Sequence, residues 1–217
     1  MKNLVFIVLG LLVACSSVTR VLQKDHISKF KKSGIIIRVP IKSIVPIEKY
    51  YIELKKTLAG YKKKNQIVLL SDINDKINKY KDDDTFYQLS PSKSFMKYKS
   101  IGMITTYVNN NQTDLKKLMT DKNLDSIIIY QVDAIYSEIL MYVSFNSMVT
   151  VLDGNLQISY LDYDKKYLDE SFWKDFFWLN DFKPDPGDGE LLMKNTVDFV
   201  HSRLIDKLLD LGYLDKI

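Results

Sequence analysis

Apolar residues along the chain fall into runs of three kinds, and each kind predicts a different element. The first, Leu4 to Val13, is uncharged throughout, follows Lys2 and ends at Ala14, Cys15, Ser16 and Ser17. This is the layout of an export signal, and it is shorter than the roughly 20 apolar residues that a spanning helix requires. Runs of the second kind are short and rich in β-branched residues. Ile35-Ile36-Ile37-Arg38-Val39 ends at Pro40, and Asn65 to Ser71 and Ser126 to Val132 are built alike; each predicts a buried strand. In the third kind apolar residues recur three or four apart, which predicts helices. Pro46 opens one through Ile47, Tyr51, Leu54 and Leu58, with Gly60 to end it, and a shorter one opens at Gln112 or Thr113 and carries Leu115, Leu118 and Met119. The last is capped by Asp188, carries Met193, Val197, Val200, Leu204, Leu208 and Leu211, and stops at Gly212.

Two stretches depart from this scheme. Residues 139 to 151 alternate, with Ile139, Met141, Val143, Phe145, Val149 and Val151 on one face and Ser144, Asn146 and Thr150 on the other; a period of two predicts a strand. Asp153-Gly154 separates it from Leu156 to Tyr160, predicting a hairpin closed by a two-residue primed turn. Residues 74 to 100 are rich in Lys, Asp and Tyr, with Asp82-Asp83-Asp84 and Ser90-Pro91, and predict a polar loop or a short helix with irregular flanks. The whole order predicts an α/β fold of mixed α+β character: a central mixed sheet with an antiparallel hairpin at its end, helices packed on it and a C-terminal helix. Expected boundaries are 1–14 for a cleaved leader, 15–33 for a tether and 34–217 for a single α/β domain.

At the end of the leader, Leu12-Val13-Ala14-Cys15 resembles the lipobox of bacterial lipoprotein precursors at all four positions. The resemblance implies cleavage after Ala14, whose small side chain suits a signal peptidase, and diacylglycerol on the Cys15 thiol. Two or three acyl chains, at about 0.8 kcal/mol per buried methylene, hold a protein on a bilayer without a spanning helix. Ser16, in place of an acidic residue, favours the outer membrane over the inner. Further on, Leu124 to Ile129 leading into Val149 to Gly154 makes residues 34–212 similar to the α/β domain shared by TolB N-terminal domains, the curli-secretion lipoprotein and the lipoprotein activators of penicillin-binding proteins. That likeness is topological and departs at residues 164–189, which are long and aromatic. It implies an envelope accessory module that binds other proteins and does no chemistry. The alternative is a surface-exposed lipoprotein that binds host or environmental ligands.

Composition narrows the chemistry. Cys15 is the only cysteine, so its lipidation leaves no disulfide, thiol nucleophile or cysteine metal site, and the domain depends on packing alone. The formal charge of +4 becomes +3 once Lys2 leaves with the leader. Lysines cluster at Lys29, Lys31 and Lys32 and at Lys62-Lys63-Lys64, but no stripe combines them with the aromatic interleaving that a nucleic-acid surface needs, and no nucleic acid is expected as a partner. The first cluster stands close in sequence to the anchor, where anionic headgroups attract each lysine by about 1 kcal/mol.

No phosphate loop, His-Glu helix pair or nucleophile elbow is present, and neither a metal nor a cofactor is expected. His26 falls in the tether and His201 in the last helix, where it reads as a satisfied or exposed helical histidine. Asp162 and Asp164 share a strand face and read as solvated. Asp185 to Glu190 reads as a turn feeding the last helix. Phe172-Trp173-Lys174-Asp175-Phe176-Phe177-Trp178-Leu179 holds both tryptophans. Rings at this density suit the centre of an interface, so Phe172, Trp173, Phe176, Phe177 and Trp178 are candidate contacts for an envelope protein partner. Packing onto the sheet accounts for them as well.

Overall fold

The computed structural model describes residues 19–20, 29–40, 45–80, 93–137, 142–167 and 186–215. Within them the chain runs β1 (Thr19–Arg20), β2 (Lys32–Pro40), α1 (Ile47–Ala59), β3 (Lys62–Lys63), β4 (Gln66–Leu69), α2 (Asp75–Asn78) and β5 (Lys79–Tyr80). It continues through α3 (Lys93–Asn110), α4 (Gln112–Lys122), β6 (Ser126–Ser137), β7 (Tyr142–Asp153), β8 (Ile158–Tyr167), α5 (Pro186–Asp210) and β9 (Leu214–Asp215). The main sheet has the order β1-β8-β7-β6-β2-β4, with β5 beside β2 beyond the end of β4. Strands β4, β5 and β6 run parallel to β2, whereas β7, β8 and β1 are added antiparallel. The fold is α/β with a mixed sheet, as the patterns predict. β1 lies within residues 15–33, the stretch expected to be a tether.

Helices cover both faces, which is why the triple isoleucine of β2 is buried throughout. Ile35 and Ile37 enter one core with α1 and α5, and Ile36 enters the other with α3 and α4. Strand β7 is treated the same way. Val149 and Val151 face the α1/α5 core while Met148, Thr150 and Leu152 are buried on the opposite side. The face expected to be polar is therefore covered at Thr150, because α3 and α4 roof that side of the sheet.

Among the described residues, β2 has no strand neighbour on its outer side between the end of β4 and the start of β5. Leu70 N still donates to Ile35 O at 3.0 Å, but two residues on the Ile37 N–H finds the Tyr51 hydroxyl instead, at 2.9 Å. A tyrosine from α1 thus completes the ladder where the strand ends, as a buried N–H requires. Burial pushes the Tyr51 phenol above its ordinary pKa and keeps it a neutral partner.

Three local expectations are corrected. Residues 74–100, expected to be a polar loop or a short helix, run from residue 93 into a longer helix, the eighteen-residue α3; its buried Ile104, Tyr107 and Val108 sit among Thr, Ser and Asn, which weakens the apolar stripe. The β7–β8 connection is not a primed two-residue turn. Asp153 remains on β7, Leu156 N donates to Asp153 O at 2.9 Å, and Leu156 takes the left-handed conformation at φ 62°. The Asp153 carboxylate organises this wider turn by accepting from Asn155 N and Gln157 N, both at 2.9 Å. Finally, α5 begins at Pro186, so Asp188 lies inside the first turn instead of capping it. Gly212 ends that helix as expected, at φ +77°, with Tyr213 N returning to Leu208 O at 2.8 Å.

Candidate functional site

In a sheet of parallel strands, ligand chemistry concentrates beyond the carboxyl ends, where successive connections leave in opposite directions. Here that point lies between β2 and β6, since the chain goes from β2 to β4 on one side and returns to β6 on the other. Arg38, near the end of β2, and Gln131 of β6 are register partners there. Both are buried, and Arg38 Nη1 donates to Gln131 Oε1 at 2.7 Å. The guanidinium carbon lies 3.9 Å from the centroid of the Tyr107 ring on α3 and 5.3 Å from that of Tyr80 on β5. A planar cation between ring faces is held by the ring quadrupoles, most strongly when water is excluded.

The rings are themselves fixed. Tyr80 donates from its hydroxyl to Val132 O at 2.8 Å and Tyr107 to Ile77 O at 3.2 Å. Burial drives the Tyr107 phenol up, and the Arg38 charge pulls it partly back. Around this cluster Gln131 Nε2, Thr150 Oγ1, Asn78 Oδ1 and Asn111 Oδ1 are buried without a hydrogen-bond partner. The arrangement offers a fixed positive charge and an amide donor on adjacent strands. Such a pair orients an oxygen acceptor, and among the described residues the ionisable members of the cluster are Arg38, Tyr80 and Tyr107.

At the opposite end of the same strands two serines pair with each other. Ser33 Oγ and Ser126 Oγ lie 2.6 Å apart in full burial. Tyr213 is turned toward them without an aligned bond to either; burial raises its pKa and the serines oppose that rise. Below them the Asp125 carboxylate accepts from Lys31 N and Lys32 N, both at 2.9 Å, and fixes the entry of β2.

His201 is buried under α1, with its Nε2 2.8 Å from the Tyr50 carbonyl and its ring edge-on to that tyrosine. A carbonyl only accepts, so Nε2 carries the proton and donates it. Burial pushes the imidazole below its ordinary pKa, while the Tyr50 bond and the Asp198 and Glu53 charges act in the other direction. It is a satisfied helical histidine, as expected. Asp162 is not solvated, contrary to the sequence reading. It is fully buried, with Oδ2 2.6 Å from Lys207 Nζ on α5 and 3.0 Å from the Tyr160 hydroxyl. Alternation along β8 placed Asp162 on one face, and the cation that meets it there comes from α5, remote in sequence.

Ala14, Cys15, His26, Asp82 to Asp84, and Phe172, Trp173, Phe176, Phe177 and Trp178 lie outside the described residues. Among the described residues, no group of three His, Cys, Asp or Glu side chains could hold a metal, and no helix is long and apolar enough to cross a membrane. Arg38 escaped sequence reading because one charge inside an isoleucine run looks like a strand-end residue. Its signal is that the run continues beyond it to Val39.

No protein-family model and no curated protein matches the chain. Among solved structures it is similar to a point variant of the PelC dodecamer from Paraburkholderia phytofirmans, at 8% identity and a TM-score of 0.37, over 71% of this chain and 83% of that one. A second PelC dodecamer structure from the same organism is similar at 9% identity and a TM-score of 0.35, over 70% of this chain and 81% of the other.

Proposed function

We propose that the chain is the precursor of a bacterial envelope lipoprotein, cut between Ala14 and Cys15 and held on a membrane by lipid on Cys15, whose α/β domain binds a protein partner and performs no catalysis. The observation that carries this reading is Leu12-Val13-Ala14-Cys15 at the end of an uncharged apolar run, with the chain's single cysteine at the position that is acylated. Removal of 1–14 leaves residues 15–33 as the approach to the domain and 34–217 as the domain itself. The non-catalytic part is supported by the uses of the ionisable side chains. His201 is engaged by the Tyr50 carbonyl, Asp162 by Lys207, and Asp125 by the β2 backbone. Phe172, Trp173, Phe176, Phe177 and Trp178 are the proposed partner contacts, and Ser16 favours the outer membrane over the inner as the site of the anchor.

Labelling of cells with palmitate tests the anchor. The native chain is expected to take up label and mature, and Cys15→Ala to remain an unlabelled precursor; equal labelling of the two would sink the proposal. For the partner, a pull-down with the double variant Trp173→Ala and Trp178→Ala is expected to lose proteins that the native domain retains. Protease treatment of intact cells separates a periplasmic module, which survives, from a surface module, which is shaved.

A further inference from the structure

Thr19 and Arg20 are paired with Tyr163 and Asp162 of β8, on the edge of the sheet farthest from β4. Cys15 precedes Thr19 by four residues, which reach at most about 14 Å when fully extended. The segment that would tether the domain is therefore tied down almost at once. Without β1 the leash would run free to the start of β2 at Lys32 and would allow any orientation.

We infer that the β1–β8 edge is the membrane-facing edge of the domain, held within about 14 Å of the lipid by this short leash. The inference rests on lipidation of Cys15. Face-on placement is disfavoured by the same arithmetic. α3 packs over β1 and β8 on one face, and α5 lies over β8 on the other through Lys207. A helix is about 10–12 Å across with its side chains, so lying on either face would use nearly the whole reach. Edge-on, Thr19 can approach the headgroups directly.

The two lysine clusters take the opposite position. Asn65 Nδ2 donates to Phe30 O at 2.6 Å and Gln66 N to Lys31 O at 2.8 Å, which brings Lys29, Lys31 and Lys32 beside Lys62-Lys63-Lys64 on the β4 side. Thr19 lies level with Arg38 through successive register partners, and five strand spacings of about 4.8 Å separate β1 from β4. The lysine corner is thus about 24 Å across the sheet and about 20 Å along it from Thr19. Nearness to the anchor in sequence does not survive folding, and this corner points away from the bilayer.

The test uses the full lipidated chain on vesicles whose headgroups carry a short-range fluorescence quencher. Cys15 being acylated, one added cysteine takes the fluorophore: Gly102→Cys on α3, where nothing lies within 4 Å of an added Cβ, or Lys62→Cys, exposed on β3. Quenching is expected to be several-fold stronger at 102 than at 62. An insertion of about 20 Gly and Ser residues between Ser17 and Val18 should bring the two positions close to parity, since a flexible linker of that length spans roughly 25 Å. Equal quenching on the native leash, or stronger quenching at 62, overturns the assignment. Failure of the protein to take up palmitate and float with the vesicles overturns the anchor itself, a different result.

Discussion

Each face of the sheet carries a buried core, yet the two hold their polar groups in different ways. On the α1/α5 face, side chains reach a partner on another element: Tyr51 OH meets the Ile37 N–H, Tyr130 OH donates to Val200 O at 3.1 Å, His201 meets Tyr50 O, and Lys207 meets Asp162. These bonds pin helices to strands and, through His201, α5 to α1. On the α3/α4 face, a cation lies between two rings, and amide and hydroxyl atoms at Gln131, Thr150 and Asn78 have no protein partner. A buried polar atom without a partner costs about 1–3 kcal/mol; among the described residues the first face holds Asp162 Oδ1 and Tyr213 OH in that state, whereas the second gathers Gln131 Nε2, Thr150 Oγ1, Asn78 Oδ1 and Asn111 Oδ1. Such sites are where a fold departs from what stability alone would select.

The largest expected effect breaks the first face. Lys207→Met leaves the Asp162 carboxyl without its cation in a site that is 0% exposed, and loss of one member of a buried pair costs about 3–5 kcal/mol. Chemical denaturation should show it as a lower midpoint with an unchanged slope. Adding Asp162→Leu should restore more than half, because the lone carboxyl is then removed. A double variant as weak as the single one would mean that α5 is held by something other than this pair.

On the second face, Arg38→Met keeps the volume but loses the bond to Gln131 and the ring contacts, with an expected loss of about 3 kcal/mol. Arg38→Lys should recover less than half, since a compact ammonium lacks the planar fork. A cycle with Tyr107→Leu isolates the stacking, for which a coupling of about 1–2 kcal/mol is expected. Additive losses would show that the 3.9 Å approach is packing and nothing more. Gly34→Ala, smaller again, probes how closely this face presses on β2. Its Cβ would meet Leu124 Cδ1 and Leu70 Cδ1 at 2.7 Å. Both contacts are the ends of side chains, so a loss of about 1–2 kcal/mol is expected, relieved by Leu70→Ala.

What could be read in advance follows from the range of each signal. The isoleucine run of β2, the spacing in α1 and the Gly212 stop depend on neighbours within a few residues, and all three stand in the structure. α3 was missed because its buried side is thin, and the β7–β8 turn because Asp153 side-chain bonds outweigh the Asp-Gly preference. The Arg38 cluster gathers residues 38, 80, 107 and 131, from β2, β5, α3 and β6. Nothing local in any one of them announces the other three. Asp162 misled for the same reason, because its cation lies 45 residues away.

The smallest effect sharpens the contrast through pH. His201 on the first face has a folded pKa below its ordinary 6.5, burial being the largest cause. At pH 7.5 the imidazole is neutral folded and unfolded, so it contributes no slope. As the pH falls through 6.5 the unfolded chain takes up a proton that the folded one resists, and stability declines until the lower folded value is reached. The slope from this one group cannot exceed about 1.4 kcal/mol per pH unit. Model carboxylates titrate near 4, below the window, and Arg38 stays charged across it, so the second face adds little. Urea midpoints measured from pH 7.5 to 5.5 should therefore fall in the native protein and fall less in His201→Gln, whose amide can still donate to the Tyr50 carbonyl. Parallel curves would mean that the imidazole takes its proton as readily in the fold as outside it, and that α1 does not seal it as the 2.8 Å bond to Tyr50 implies.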